Sequence, residues 1–438
     1  MAHASADGLA SAQAGTRLRG HAGSGERGEV IGYHEAVARL LEGAGRCGEE
    51  RVALGRAAGR ILAGDIVSAM ALPAFDNAAM DGVALVGDGP AARAGSCWEV
   101  ASRIAAGDVP PQDDAHAWHV MTGAALPTRA ATVVPLEGIE RLPDARVRLR
   151  DDASPGAHIR RRGDDVREGD ALLASGTMLH AAQLMLLAGV GQNEVAVARR
   201  PRVAVLATGG EIVAAGTPLP PGGIHDATSP YLRASLVAAG GEPVFVRRVG
   251  DEVPVFQAAV DAALAEGADL VLSTGAVSKG CYDFVPSALQ ARGAETLFHG
   301  VALRPGKPVL AARLREGAMF LGLPGNPLST AVGFRFLVEP LLRAWLGLPP
   351  ETPCWLPLAD DCRSRAGLHA VLHGALRCDG HGRLRAHVAQ AQASFRLLPF
   401  SQAMAWITLP SDLGDVGAGT PVQVHGLSHL QPPAWMPA

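Results

Sequence analysis

The run RVAVLATGGE, Arg202–Glu211, drives five consecutive apolar residues into a pair of glycines. A strand with one wet face alternates apolar and polar side chains. An unbroken apolar run bounded by turn residues suits a strand covered on both faces. The glycines and Glu211 then form a loop at its carboxyl end. Outward from this run the pattern repeats. Tyr231–Ala239 has helical spacing, Pro243–Val249 reads as a strand, and Val255–Glu266 as a second helix. DLVLST, Asp269–Thr274, is another apolar strand, followed by the loop GAVSKG. A helix near Phe284–Ala291, strands at Val309–Leu314 and Met319–Leu321, the loop GLPGNP and a long helix from Pro327 to Leu346 complete the unit. Strands alternating with helices predict an α/β domain over residues 201–348, three layers deep (α/β/α) around a mostly parallel sheet. In such sheets ligands bind beyond the carboxyl ends of the strands, where TGGE, TGAVSKG and GLPGNP all fall.

The chain has 438 residues, 48% of them hydrophobic, which is too large for a single core and predicts an α/β multidomain protein. Its net charge of −4 gives no global basic surface for nucleic acid. No apolar run reaches the roughly 18–20 residues that span a bilayer, so no membrane partner is expected. Residues 1–28, rich in Gly, Ala and Ser without a hydrophobic signal core, are expected to be a disordered leader. Six cysteines form no CxxC pair, which reads as reduced thiols in the cytoplasm. Of 39 basic residues only two are lysines, Lys279 and Lys307, both in glycine-containing loops after predicted strands.

Around the α/β unit the texture changes. YHEAVARLLEGAGR, Tyr33–Arg46, has helical spacing and a glycine-rich stop. Residues 83–150 alternate short Val/Ile/Leu runs with Gly, Pro and Asp, as small β-rich domains do. Residues 154–200 mix turns with a helix from about His180 to Ala188, and beyond Pro349 the chain is again short strands and turns.

Four stretches could carry chemistry. LPAFDNAAMDGVAL, Leu72–Leu85, sets Asp76, Asn77 and Asp81 among apolar residues. Buried carboxylates need hydrogen bonds or a cation, and a capped turn serves as well as a site. GLPGNPLSTAV, Gly322–Val332, puts Pro327 in the first turn of a helix behind Pro324, Gly325 and Asn326, with the Ser329 hydroxyl following. Such a helix start suits an anion, or simply makes a strand-to-helix turn. LRPGKPVL, Leu303–Leu310, holds Arg304 and Lys307 in one turn stiffened by Pro305 and Pro308, fit for an oxyanion or else a solvated basic turn. It is no P-loop: Pro308 stands where Mg²⁺ would need Ser or Thr. Glu211, Asp226, Asp251 and Asp283 supply rim carboxylates that beside phosphate would suit Mg²⁺, and MTGAALP brings Thr122 from the β-rich segment. No HExxH or GxSxG is present.

Taken in order, LPAFDNAAMDGVAL, MTGAALPTRAATVVPLE, GDDVREGD, VAVLATGGEI, DLVLSTGAVSKGCYDFV, VALRPGKPVL and LPGNPLSTAV resemble the molybdopterin molybdenumtransferases, the MoeA and gephyrin E-domain family, from about residue 30 to 428. The resemblance implies Mg²⁺-dependent insertion of molybdate into adenylylated molybdopterin with release of AMP. It also implies an elongated homodimer with its site in the cleft between subunits, and partners among MogA-like adenylyltransferases and molybdoenzyme clients. It divides the chain into an elongated linker domain (29–50 and 155–200), a small β-rich domain (51–154), a MogA-like molybdopterin-binding domain (201–348) and a C-terminal β-barrel-like domain (349–438). By the same resemblance Asp81, Thr122, Asp165, Glu211, Asp251 and Asp283 are catalytic. Asp76, Asn77, Thr208, Gly209, Asp226, Ser273, Gly275, Ser278, Pro324, Gly325 and Asn326 hold molybdopterin. Arg304, Lys307, Pro308, Ser329 and Arg365 form the molybdate pocket, and Glu211, Asp226 and Asp251 hold the metal.

This chain departs from the family pattern in places. The usual GDE is Gly209-Gly210-Glu211, the usual GGVSxG is GAVSKG with Ala276 and Lys279, and Thr228 and Ala131 replace an Asn and an Asp. A Ser-Ala-Asn block near the C-terminus is QAMA, with Ser401 nearby. Two further readings follow: a divergent paralogue that binds or delivers the cofactor without catalysis, and an adenylylating relative.

Overall fold

The computed structural model describes residues 30–87, 92–110, 115–277, 283–409, 411–412 and 414–437. The expected leader, Ser278 and Lys279 lie outside them. The central sheet comprises β1 (Arg202–Thr208), β2 (Glu242–Val249), β3 (Leu270–Thr274), β4 (Glu295–His299), β5 (Leu310–Arg313) and β6 (Met319–Leu323), in the order β2-β1-β3-β6-β5-β4. The pairs β2/β1, β1/β3 and β3/β6 are parallel. β6/β5 and β5/β4 are antiparallel, so the sheet is mixed. The predicted strand pair at Val309–Leu314 and Met319–Leu321 is a hairpin, and a hairpin must run antiparallel. Along β1, Val203 and Val205 enter one apolar cluster while Ala204 and Leu206 enter another. Helix α1 (Thr228–Ala238) packs Leu232 and Leu236 into the first, and α2 (Val253–Ala265) packs Phe256 and Ala259 into the second. The unbroken apolar strand thus has a partner on each side.

The long helix expected from Pro327 to Leu346 is divided. It runs α-helical over Pro327–Gly333, widens into a π-turn over Phe334–Val338, and resumes over Glu339–Trp345. Arg335, in the wide turn, is 2% exposed. Its Nε donates to the Gly426 carbonyl at 3.0 Å, and its terminal nitrogens lie 2.6 Å from Glu351 and 3.4 Å from Glu339. A buried guanidinium needs such partners on several sides.

The C-terminal strands correct the barrel-like expectation. Leu303–Arg304, His369–Cys378, Ala405–Leu409, Pro421–His425 and Cys354–Pro357 follow one another across the sheet, with Leu384–Val388 and Trp435–Pro437 also pairing with His369–Cys378. An isolated bridge, Leu358 to Ala386, reaches towards the return, but among the described residues no continuous strand pair closes a barrel. Leu303–Arg304 belongs to this sheet, pairing with His369 and Ala370.

The N-terminal segment clasps the central unit. Ile31 exchanges backbone hydrogen bonds with Gly300 and Ala302, and the Tyr33 ring stacks on His369 with centroids 4.0 Å apart. After the helix Tyr33–Leu41, Glu49–Ala53 pairs antiparallel with Glu194–Ala198, from Glu49 opposite Ala198 to Ala53 opposite Glu194. Everything from 54 to 193 is an excursion that leaves and returns through this ladder. Within it lies a four-stranded sheet, ordered Arg103–Ile104, Ala117–Val120, Gly82–Val86, Ala130–Pro135. A three-stranded sheet, Cys97–Glu99, Arg146–Leu149, Ile139–Arg141, packs against it through Val83, Leu85, Val147 and Leu149. The helix expected near His180 covers Ala181–Gly189. No helix among the described residues is long and apolar enough to cross a membrane.

Candidate active site

At the carboxyl rim of the central sheet, hydrogen bonds tie the expected loops together. Thr208, at the end of β1, is buried and donates its hydroxyl to the Thr274 carbonyl at the end of β3, at 2.9 Å. Thr274 in turn shares a 3.3 Å contact with the Thr228 hydroxyl at the start of α1. Gly275 (φ +91°) donates its amide to Leu323 at the end of β6, and a Cβ there would sit 2.9 Å from the Thr208 carbonyl. Glycine is required by both its conformation and its closeness. Gly325 in turn lies against Gly275, where an added Cβ would meet the Gly275 Cα at 3.5 Å. Ser273 is fully buried beneath this loop, and its hydroxyl has no partner among the described residues. Ala276 follows at φ +53°, a left-handed backbone carrying a methyl group.

Two carboxylates gather at the Gly209-Gly210-Glu211 turn. The Gly210 amide donates to Asp251 Oδ2 at 3.0 Å, and a Cβ on Gly209 would fall 2.7 Å from Glu211 Oε2. Asp226 does something else: its Oδ1 accepts the Ser229 amide at 2.9 Å and the Thr228 hydroxyl at 3.3 Å, capping α1. Glu211, Asp226 and Asp251 do not form a three-ligand set, and no such group of His, Cys, Asp or Glu occurs among the described residues. Asp283 is half-buried at the foot of the helix Val285–Ala291.

The two loops expected to take an anion adjoin the same rim. Arg304 and Lys307 are exposed on their turn, and Gly306 between them lies 3.5 Å, measured from its Cβ position, from the Ser329 carbonyl. Pro308 follows, half-buried. The Thr330 hydroxyl donates to the Pro324 carbonyl, and the Thr330 amide and hydroxyl both donate to the Asn326 carbonyl. The Leu328 amide is taken by the Ser394 carbonyl from the C-terminal region at 3.0 Å, so the helix start offers its dipole without that donor. Arg365 is exposed on the loop that leads into His369, the residue paired with Leu303.

A second group sits on the excursion. Thr122 donates both its amide (2.7 Å) and its hydroxyl (2.8 Å) to Asp81 Oδ1. The Thr122 amide and then its hydroxyl hold the Asp81 carboxyl below its usual range, although the pair is fully exposed. Partial burial works against ionisation of Asp76, but the Arg162 amide and the Arg161 guanidinium, each at 2.7 Å, bring its carboxyl below the usual range. Asn77 is buried and donates to the Phe75 carbonyl at 3.2 Å. The Asp165 amide donates to the Leu72 carbonyl, leaving its carboxylate exposed in the neighbouring turn. Sequence reasoning missed Arg161, which lies 85 positions from Asp76, and Thr274, whose hydroxyl and carbonyl join two loops. Neither belongs to a local pattern that could have announced it.

Three family models cover the chain: the MoeA N-terminal region (domain I and II) over 31–191, a probable molybdopterin binding domain over 204–344 and the MoeA C-terminal region (domain IV) over 356–427. A molybdopterin molybdenumtransferase of Synechococcus elongatus is 36% identical over 91% of this chain and 100% of its own. Molybdopterin molybdenumtransferase 2 of Mycobacterium tuberculosis is 35% identical over 90% of this chain and 98% of its own. A solved molybdopterin biosynthesis MoeA protein from Pyrococcus horikoshii superposes with a TM-score of 0.77 at 28% identity, covering 91% of this chain and 100% of that one. Matched in fold and in sequence along nearly its whole described length, the chain belongs to the molybdopterin molybdenumtransferases, the MoeA family of transferases in molybdenum cofactor biosynthesis.

Proposed function

We propose that this chain inserts molybdate into the dithiolene of adenylylated molybdopterin and releases AMP. The observation that carries this reading is the Arg304–Lys307 turn: two exposed cations three residues apart, packed through Gly306 against the start of the Pro327 helix. Molybdate is a tetrahedral dianion. A guanidinium, an ammonium and the positive end of a helix suit it, and Ser329 and Arg365 lie on the adjoining segments. The rim formed by Thr208, Gly209, Gly275, Pro324, Gly325 and Asn326 would hold molybdopterin beside that pocket, with Ser273 beneath.

Mg²⁺ commonly takes one or two carboxylates and completes its shell with water and substrate phosphate. Glu211 and Asp251, drawn to adjacent glycines, fit that demand, and the ion would neutralise phosphate charge during loss of AMP. The chain's own share is to fix both carboxylates through the Gly209-Gly210 turn and to keep Asp81 ionised through Thr122. We also place Asp76, Asn77, Asp81, Thr122 and Asp165 across a cleft from the rim of a second subunit, making the working form a homodimer in the cytoplasm.

Incubation with adenylylated molybdopterin, molybdate and Mg²⁺ tests this reading. AMP should appear in step with molybdenum incorporation and fall in Glu211→Gln while folding persists. Tight binding of molybdopterin without AMP would replace catalysis with carriage. A mass that stays monomeric at all concentrations would remove the two-subunit site.

A further inference from the structure

The excursion carries a second cluster of basic side chains, beside the strand that follows Asp81, where His119 pairs with Val83. Arg103 and His119 are paired in parallel across adjacent strands, so strand alternation sends both side chains to one face. Arg141 ends the strand Ile139–Arg141, and Arg146 begins the strand after the following turn. These four side chains and Ser102 surround a cavity of about 330 Å³ floored by the buried Val147.

The charges there are poorly matched. Arg146 pairs with Asp144 at 3.6 Å at the exposed lip. The Arg103 and Arg141 side chains make no hydrogen bond or ion pair among the described residues. Burial, and then the Arg141 charge, push the His119 imidazole below its usual range, against the pull of a hydrogen bond with the Gly82 backbone. The lip turn is itself unusual: Asp144 (φ +67°) and Ala145 (φ +57°) are both left-handed, where Asn-Gly would be the easy sequence. The Val100 amide, donating to the Ala145 carbonyl at 3.0 Å, fastens this turn over the cavity. Cations gathered in a hollow whose one counter-charge, Asp144, sits at the exposed lip repel one another and focus a positive field into it.

We infer that this hollow is a binding site for a phosphate-bearing ligand. Guanidinium forks from Arg103 and Arg141 match phosphate oxygens in pairs, and the Ser102 hydroxyl offers a further donor. The volume exceeds that of a bare phosphate and lies within the range of small-molecule pockets, so it admits a nucleoside monophosphate as well. The site is separate from the Arg304–Lys307 turn. His119 lies on the strand Ala117–Val120, which runs directly towards Thr122, so a ligand held here would brace the sheet that presents Asp81.

Titration calorimetry on Lys307→Ala, which silences the other anion turn, reads this site as the difference made by adding Arg103→Gln and Arg141→Gln, since any phosphate held at the rim of the central sheet is common to both proteins. Lys307→Ala carrying Arg103→Gln and Arg141→Gln should lose one binding event per chain for inorganic phosphate or AMP, or bind it there at least tenfold more weakly. All three positions are exposed, and equal thermal midpoints would verify that the fold persists. AMP binding at least tenfold tighter than phosphate, with adenosine silent, identifies a nucleotide; equal affinities identify free phosphate. Equal binding by the two proteins, or none by Lys307→Ala, overturns the assignment.

Discussion

Thr122 grips a single oxygen of Asp81 with two donors, its amide at 2.7 Å and its hydroxyl at 2.8 Å. The amide cannot be mutated away, but the hydroxyl can. Thr122→Val keeps shape and removes one donor to the carboxylate, so the Asp81 pKa should rise towards its ordinary value. A side-chain carboxyl NMR titration would read that rise, and AMP release should fall without loss of fold. An unmoved Asp81 titration would show that the amide alone sets it.

Lys307 is exposed on a turn stiffened by Pro305 and Pro308. A charge-assisted hydrogen bond contributes about 1.5–3 kcal/mol. Lys307→Ala should therefore raise the molybdate concentration needed for half-maximal turnover by roughly 10- to 100-fold, more steeply at low salt. Lys307→Arg should recover only part of this, because a planar fork replaces a compact ammonium poorly around a tetrahedral anion. An unchanged molybdate dependence would move the pocket elsewhere.

Ala276 occupies left-handed backbone in the loop after β3. That conformation costs a non-glycine residue about 1–2 kcal/mol, partly offset because glycine loses more freedom on folding. Ala276→Gly should raise stability by about 1 kcal/mol or slightly less, seen as a higher urea midpoint with an unchanged slope. A lower midpoint would mean that the methyl group packs usefully.

The pH dependence of stability should carry the mark of the buried Arg335 network. Burial lifts the Glu339 carboxyl to about 8 from an ordinary value of 4.5. A group raised in the folded state contributes stability that is complete below its ordinary value and lost as pH climbs through the folded one. Burial opposes ionisation of Glu351, yet the His425 ring and the Arg335 guanidinium hold its carboxyl down at about 2. Its contribution is present above about 4.5 and lost as pH falls towards 2. Wild-type thermal midpoints should thus decline on both sides of pH 4.5. Glu339→Gln should flatten the alkaline decline and leave the acid one, and a persisting alkaline decline would exonerate Glu339.

Much of this was legible in the sequence because the deciding signals are local. Val203–Ala207 is apolar without alternation, and only a strand covered on both faces uses such a run, so β1 and its glycine loop could be placed from ten residues. Register and closure are not local. Whether the C-terminal strands complete a barrel depends on which edges meet, and apolar alternation is the same in either case. The π-turn at Phe334–Val338 was equally invisible, since one wider turn barely alters helical spacing, and Arg335 gives no sign of being buried until Glu339, Glu351 and Gly426 surround it. Asp226 was read for its charge, while its oxygen serves the Ser229 amide three positions on.

The ladder between Glu49–Ala53 and Glu194–Ala198 also has a mechanical meaning. The excursion continues from the Ala53–Glu194 end and folds back to bond the same strand, Ala63 to Ala196 and Ala198 to Ile61, while the central unit holds the Ala198 end through Arg199, whose guanidinium grips both oxygens of Asp269 at 2.9 and 3.0 Å. A force drawing the excursion outward therefore loads Glu194–Ala198 from both edges, the Glu49–Ala53 ladder on one and the Ile61–Ala63 bonds on the other. That strand is a seam stitched along two edges and tied off at Arg199, so tension is shared across it and not taken at one end.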